Sequence, residues 1–147
     1  MESPFEGGCE CGAVRYRITG EPVVIYACHC TVCQSQSGSA FGMAMRIPKE
    51  HFHLTRGTLK SFHREGSKGN VFTNSFCGDC GTRIHHQSKR NTAQISLKPG
   101  TLDETGSLVP THHAWTRSAQ SWVRIPDDAV VFETQPESPA WLMGKKD

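Results

Sequence analysis

The sequence predicts a strand-dominated domain of the mainly β class. Gly and Pro residues interrupt the chain frequently, and the short segments between them are rich in β-branched and aromatic residues, as is typical of strands. In residues 13–18, apolar and basic side chains alternate with the period of a half-buried strand. Helical patterns are confined to residues 33–37 and one turn near residues 49–51. The predicted strands are 13–18, 23–26, 40–47, 52–55, 59–63, 71–76, 83–87, 93–97, 110–115 and 130–133.

The length and composition predict one domain with a thin core. The chain has 147 residues, of which 36% are hydrophobic, and domains short of apolar material often depend on metal or disulfide cross-links. We assign residues 1–135 to this single domain. Residues 136–147 contain two prolines and end in Gly-Lys-Lys-Asp, so we assign them to a loose tail that Trp141 and Leu142 dock on the surface.

Charge and hydropathy exclude several functional classes. The formal net charge is +2, and the Lys and Arg residues form no run of five or six, so the sequence argues against a nucleic-acid partner. The first residues lack the basic and apolar parts of a signal peptide, and no apolar stretch is long enough to span a membrane. We therefore expect a soluble cytoplasmic protein whose thiols stay reduced.

The seven cysteines fall into three clusters with metal-ligand spacing. Close-set thiols in a reducing compartment hold metal more often than they form disulfides, and the glycines around two of the clusters permit the tight turns of zinc knuckles. The clusters are Cys9 with Cys11; Cys28 with Cys30 and Cys33; and Cys77 with Cys80.

Seven thiols divided between two zinc ions give four and three, and the spacing alone leaves two divisions open. In one, the two outer pairs form a four-thiolate structural site, and the C-x-C-x-x-C cluster forms the other site. In the second, part of the central cluster shares a metal with an outer pair. The first division is favoured because the central cluster can cap one face of a metal by itself. It also closes a loop of about 70 residues, where a cross-link stabilises most in principle.

A three-thiolate zinc keeps a fourth position open, as catalytic zinc sites do. Zinc there would hold an incoming thiol as a thiolate at neutral pH, which is a strong nucleophile. The alternative is a second structural site in which a histidine such as His29, His85 or His86 fills the gap. Alternation along an extended segment turns the His29 side chain away from Cys28 and Cys30.

Several motifs in order resemble the glutathione-dependent formaldehyde-activating enzyme family, also described as the centromere protein V-like domain. They are G-G-C-E-C-G-A-V-R-Y, C-H-C-T-V-C-Q, F-C-G-D-C-G-T, T-H-H-A-W and S-W-V-R-I-P, and the resemblance runs from about residue 7 to residue 133. It implies the Mss4-like fold, with small antiparallel sheets stapled by zinc. It also agrees with two zinc ions per chain, and we expect partial occupancy at the second site.

Carried over by motif, the resemblance assigns the ligands. Cys9, Cys11, Cys77 and Cys80 match those of the structural zinc, and Cys28, Cys30 and Cys33 match those of the catalytic zinc. The implied reaction is addition of the glutathione thiol to formaldehyde, giving S-hydroxymethylglutathione, a carbon–sulfur lyase reaction run in reverse.

The substrate contacts and a rival function stay open at this stage. Arg46, Arg64, Lys68 and Arg83 are candidates to pair with the carboxylates of glutathione, and His113 is a candidate for proton transfer. The leading hypothesis is a zinc-dependent lyase that adds a small thiol to a small aldehyde or related electrophile. The alternatives are a non-enzymatic zinc module that recognises protein or nucleic acid, and a thiol redox or metal-buffering protein.

Overall fold

Strands dominate the computed structural model, which describes residues 3–137, 140 and 141. The predicted mainly β class is therefore confirmed. Short 3₁₀ turns at Lys49–His51, Ser67–Gly69, Pro99–Thr101 and Thr116–Ser118 join some of the strands. The strands and the α-helix are β1 Phe5–Gly8, β2 Arg15–Ile18, β3 Val24–Cys28, α1 Thr31–Ser37, β4 Gly42–Pro48, β5 Phe52–Arg56, β6 Leu59–Glu65, β7 Val71–Cys77, β8 Arg83–Ser88, β9 Asn91–Leu97, β10 His112–Ala114 and β11 Val130–Phe132.

Each of the ten predicted strands corresponds to one of β2–β11, and β1 is the strand that the pattern missed. Its sequence, Phe-Glu-Gly-Gly, has little intrinsic strand preference because glycine loses the most backbone freedom on ordering. Pairing with β2 stabilises it instead. At Gly7, a Cβ would lie only 2.5 Å from the Tyr16 hydroxyl oxygen, so the close approach of β1 to this buried tyrosine requires glycine.

The chain divides into two compact units. The first contains the chain up to Pro22 together with Arg46–Ser107, and the second contains Val23–Met45 and the chain from Leu108 onward. In the first unit, β1, β2 and β5 form a three-stranded antiparallel sheet, and β6 to β9 form an antiparallel meander. Its interior is aliphatic around one buried tyrosine, with Val14, Tyr16, Ile18, Ile47, Ile84, Ile95 and Leu97 all nearly inaccessible.

The second unit departs from the antiparallel expectation. Strand β10 pairs in parallel with both β3 and β11. Parallel neighbours need a long connection between them, and here β3 and β10 are separated by most of the chain. The interior of this unit is built from small residues and rings, including Ala27, Ala44 and Trp141. Trp141 is 3% exposed and packs edge-on against Tyr26, with ring centroids 4.9 Å apart, whereas Leu142 lies outside the described residues.

Among the described residues, no helix is both long and apolar enough to cross a membrane.

Candidate metal centre

Four thiols of the first unit converge at the junction of two turns. Cys9 and Cys11 lie in the turn after β1, Cys77 ends β7, and Cys80 follows in the next turn. The four Sγ atoms all lie within 4.8 Å of one another, with 3.5 Å from Cys9 to Cys11 and 3.8 Å from Cys11 to Cys77. In a zinc tetrahedron with Zn–S bonds of about 2.3 Å, neighbouring sulfurs are about 3.8 Å apart. The arrangement therefore fits a four-coordinate zinc.

Both turns of this first cluster are closed by the same device. The Gly12 N–H donates to the Cys9 carbonyl at 3.1 Å, and the Gly81 N–H donates to the Cys77 carbonyl at 2.9 Å. Each glycine has a φ of +77°, in the left-handed region that side chains disfavour. The Val14 N–H also donates to the Cys9 sulfur at 3.1 Å. The glycines thus let the backbone fold back so that the thiols of each pair point the same way.

Hydrogen bonds favour the thiolate form at two of these four sulfurs. At Cys80, the Thr82 hydroxyl 3.1 Å away lowers the pKa to about 6, with further help from backbone N–H groups. At Cys9, burial raises the thiol pKa, but the Val14 N–H and the neighbouring Cys11 outweigh it, so the net pKa is lowered. A metal that binds thiolates therefore meets a cluster that is partly ionised near neutral pH.

The second unit gathers the other three thiols around the start of its helix. Cys28 ends β3, Cys30 caps α1, and Cys33 lies in the first turn of that helix. All three are half-buried, and their Sγ atoms lie within 4.8 Å of one another. Among the residues that the structure describes, no histidine or carboxylate joins this group. Three sulfurs on one side of a metal leave a fourth position for another ligand.

Hydrogen bonds at the start and in the middle of α1 hold this second cluster in place. The Cys30 sulfur accepts from the Cys33 N–H at 3.3 Å, as an N-cap does. The Gln34 amide donates to the carbonyls of His29 and Ser118 at 2.8 and 2.9 Å. On the other side, a Cβ at Gly42 would lie 3.2 Å from the Cys33 Cβ, so β4 approaches the cluster as closely as glycine allows. The three thiols therefore sit on a constrained backbone.

Two buried histidines meet beside this cluster. His29 Nε2 lies 3.0 Å from His113 Nδ1, so one ring donates a hydrogen bond to the other. Burial lowers the pKa of both rings, with His113 adding to the effect at His29, and both are therefore neutral at pH 7. His29 is inaccessible and also stacks near Phe41, with ring centroids 5.3 Å apart. It contributes no nitrogen to the sulfur cluster, in line with the alternation argument.

Contacts among the three thiols divide their protons unequally. Hydrogen bonds that the Cys28 thiol and, to a smaller extent, the Cys33 thiol donate to the Cys30 sulfur lower the pKa of Cys30 to about 2. The same contacts, first with Cys30, raise the pKa of Cys28 far above its ordinary value, and burial adds to this. The Cys30 thiolate therefore forms readily, and its negative charge opposes ionisation of Cys28. A bound dication removes that opposition, because its charge stabilises all three thiolates.

Several residues singled out in the sequence lie elsewhere. His85 packs edge-on against Phe52 in the first unit, where burial lowers its pKa to about 4. His86, on β8 like His85, packs against Phe72 of the neighbouring strand β7, and neither histidine joins a cysteine group among the described residues. Trp115 lies just beyond β10 with a φ of +60°, so it does not continue the strand that was predicted through residue 115.

The sequence did not predict the His29–His113 contact, nor the hydrogen bonds that Gln34 donates to the carbonyls of His29 and Ser118. The two histidines are separated by 84 residues, and their meeting depends on the parallel pairing of β3 with β10. The visible signal was the paired histidines of T-H-H-A-W, which the sequence identified without a partner.

Comparison with known proteins adds a family and a fold. A family model described as glutathione-dependent formaldehyde-activating enzyme matches residues 4–118, which include all seven cysteines and both histidines of the buried pair. A crystal structure of a Rhodobacter sphaeroides protein superposes with a TM-score of 0.55 at 22% sequence identity, covering 69% of this chain and 91% of that one. At this identity, the likeness is one of fold.

Loss of the first cluster should cost far more stability than loss of the second. We expect Cys77→Ser to lower the free energy of unfolding by about 4 kcal/mol, because it opens a metal-closed loop of roughly 70 residues. Cys33→Ser is the matched control, since the second cluster closes only a few residues of chain, and its cost should stay below about 1 kcal/mol. Urea denaturation of zinc-loaded protein measures both. Equal losses would contradict the assignment of the first cluster as the cross-link.

The histidine pair should contribute measurably to stability. We expect His113→Phe to lower the free energy of unfolding by about 1–3 kcal/mol, because phenylalanine leaves the His29 Nε2 buried without a partner. His63→Phe, at an exposed position of β6, is the control. The same urea titrations measure the difference in the free energy of unfolding. A His113→Phe variant as stable as the control would show that the His29–His113 contact does not stabilise the fold.

Proposed function

Because this chain belongs to the glutathione-dependent formaldehyde-activating enzyme family, we propose that it is a zinc-dependent enzyme of the carbon–sulfur lyase type. It adds a small thiol such as glutathione to formaldehyde or a related small aldehyde. The observation that carries the proposal is the second cysteine cluster, in which Cys28, Cys30 and Cys33 converge without a fourth described ligand. A purely structural zinc has four protein ligands, whereas a catalytic one keeps a position for substrate.

The two clusters take different parts in this proposal. The first cluster, Cys9, Cys11, Cys77 and Cys80, holds a structural zinc and closes the first unit. The second holds the catalytic zinc, so that each chain carries two ions, the second at lower occupancy because it has fewer ligands. Thiolate ligands suit zinc and also suit a sulfur-bearing substrate. Zinc bound there would stabilise the thiolate form of an incoming thiol near neutral pH.

The reaction needs little from the protein beyond position and proton balance. The substrate sulfur forms a bond to the carbonyl carbon, the π pair of the carbonyl moves to its oxygen, and that oxygen takes up the proton that the thiol gave up. No group leaves. The residues of this chain hold the geometry: Gln34 fixes the loop between Cys28 and Cys33, and the His29–His113 contact keeps His29 out of the open position.

Replacing Cys30 separates this proposal from a structural role. We expect Cys30→Ser to lose one zinc and to reduce the enzymatic rate by roughly 100-fold or more, because the metal contributes several kcal/mol to such a reaction. The fold and the zinc of the first cluster should remain. Exchange NMR with ¹³C-formaldehyde and glutathione measures the rate above the spontaneous reaction, and metal analysis with circular dichroism monitors zinc and fold.

Val32→Ser is the matched control. It introduces the same residue between two of the ligands, at a side chain that is 40% exposed, and should change the rate by no more than about twofold. Full activity of Cys30→Ser would refute the proposal. Unfolding of Cys30→Ser would instead mean that the second cluster is a structural site.

A further inference from the structure

One face of the β6–β9 meander in the first unit is strongly basic. Arg64 on β6 lies opposite Phe72 on β7, and His86 on β8 lies opposite Asn74. A bulge next to Ser75 shifts the register, so that Arg83 comes opposite Phe76 and shares the face of His86 although the two are three residues apart. On β9, Ser96 faces His86 in the same way.

Side-chain contacts bring three guanidinium groups around His86. Arg83 donates to the Asn74 side-chain oxygen at 2.6 Å, and Arg46 donates to the Ser96 hydroxyl at 2.8 Å. The Arg64 guanidinium lies 4.8 Å from the centroid of the Phe72 ring, which packs edge-on against His86. Because Asn74 and Ser96 are the cross-strand neighbours of His86, all three cations converge on one part of the face.

The pKa of His86 reflects these surroundings. Its pKa is held well below the ordinary value, first by burial and then by the positive charges of Lys98, Arg83, Arg46 and Arg64. Burial alone favours a neutral imidazole, and the neighbouring positive charges add to that effect.

Two of these cations, Arg46 and Arg64, have no carboxylate partner in the described part of the chain. Within residues 3–137, 140 and 141, neither Arg46 nor Arg64 has a carboxylate within ion-pair distance, and the described ion pairs join Arg15 to Asp103 and Arg17 to Glu6. Arg46 is only 4% exposed, yet its Nε has no hydrogen-bond partner in the described structure, and the same holds for Arg64 Nε and His86 Nδ1. Burying a cation without a counter-charge is costly, so donors left in this state indicate a ligand that supplies it.

The surroundings favour an organic anion. A guanidinium fork binds a planar carboxylate through two parallel hydrogen bonds. The basic face also carries three aromatic rings, with Phe62 and Phe76 6.0 Å apart between their centroids and Phe72 next to Arg64. Phe62 is 39% exposed and can contact the carbon skeleton of a small ligand. Rings beside the cations suit a carboxylate on a carbon chain better than an inorganic ion.

We propose that this basic face is a binding site for a small organic carboxylate, held by Arg46, Arg64 and Arg83 beside His86. The carboxylate comes either from a free dicarboxylate or from a peptide thiol of the kind that the proposed reaction uses. The second source rests on the proposed function, whereas a free dicarboxylate would bind without it, because the recognition chemistry involves neither cysteine cluster.

Calorimetric titration of the zinc-loaded full-length chain at pH 7 tests the site, with succinate, glutathione and inorganic phosphate as separate probes. We expect succinate or glutathione to bind saturably, and Arg64→Met to weaken that binding about tenfold or more, because one charge-assisted hydrogen-bonding group is lost. Arg124→Met removes the same charge from an exposed position of the second unit, and its effect should stay within about twofold. Phosphate should bind more weakly than the carboxylates.

The three probes separate the outcomes. Binding of both carboxylates, lost in Arg64→Met, supports a general carboxylate site; binding of glutathione alone, lost in the same variant, assigns the site to the thiol substrate. Tighter binding of phosphate, no saturable binding of either carboxylate, or equal losses in the two variants would overturn the proposal. If Arg64→Met unfolds, the wild-type melting temperature decides: the binding carboxylate should raise it and phosphate should not.

Discussion

Four sulfur atoms that lie within 4.8 Å of one another join two turns of the first unit that are distant in sequence. The turn after β1 supplies two of them, and the end of β7 with its following turn supplies the others. Without a metal, four thiols at this spacing gain little from one another, and the exposed positions of Cys11 and Cys80 bury no apolar surface in return. With a metal, the same four residues would close a long loop and fix where β1 and β7 end. The short strand β1, with its two glycines, would gain from this closure in addition to its pairing with β2.

The second cluster uses the same ligand type under a different constraint. Its three thiols come from six consecutive residues, so a metal there closes almost no chain and contributes little to folding. The surrounding protein provides the order instead, through the N-cap of α1, the Gln34 amide and the buried His29–His113 contact. Under the proposed function, stability and chemistry therefore belong to separate clusters. A site that need not hold the fold together can leave one coordination position to a substrate.

The sequence predicted the features that depend on local spacing. Short β-branched and aromatic segments between Gly and Pro, with alternation in residues 13–18, located the ten strands β2–β11. The cysteine spacing suggested which thiols converge, because ligands on one turn must lie close together. Features that depend on distant partners were not visible. β1 lacks strand preference and forms against Tyr16, and the meeting of His29 with His113 requires a parallel pairing that no local pattern specifies. The sequence named Arg46, Arg64 and Arg83 as separate candidates, but not their meeting around His86. A bulge brings Arg83 onto the face of His86, where simple alternation would not place it.

The two cysteine clusters should hold metals of different character, one closed and one open. Anomalous diffraction at the zinc edge, from crystals of this protein soaked with glutathione, distinguishes them. Two zinc peaks per chain are expected, one surrounded by Cys9, Cys11, Cys77 and Cys80. The other should lie at Cys28, Cys30 and Cys33, with the sulfur of the soaked thiol as its fourth neighbour. A protein side chain in that fourth position would refute the open site.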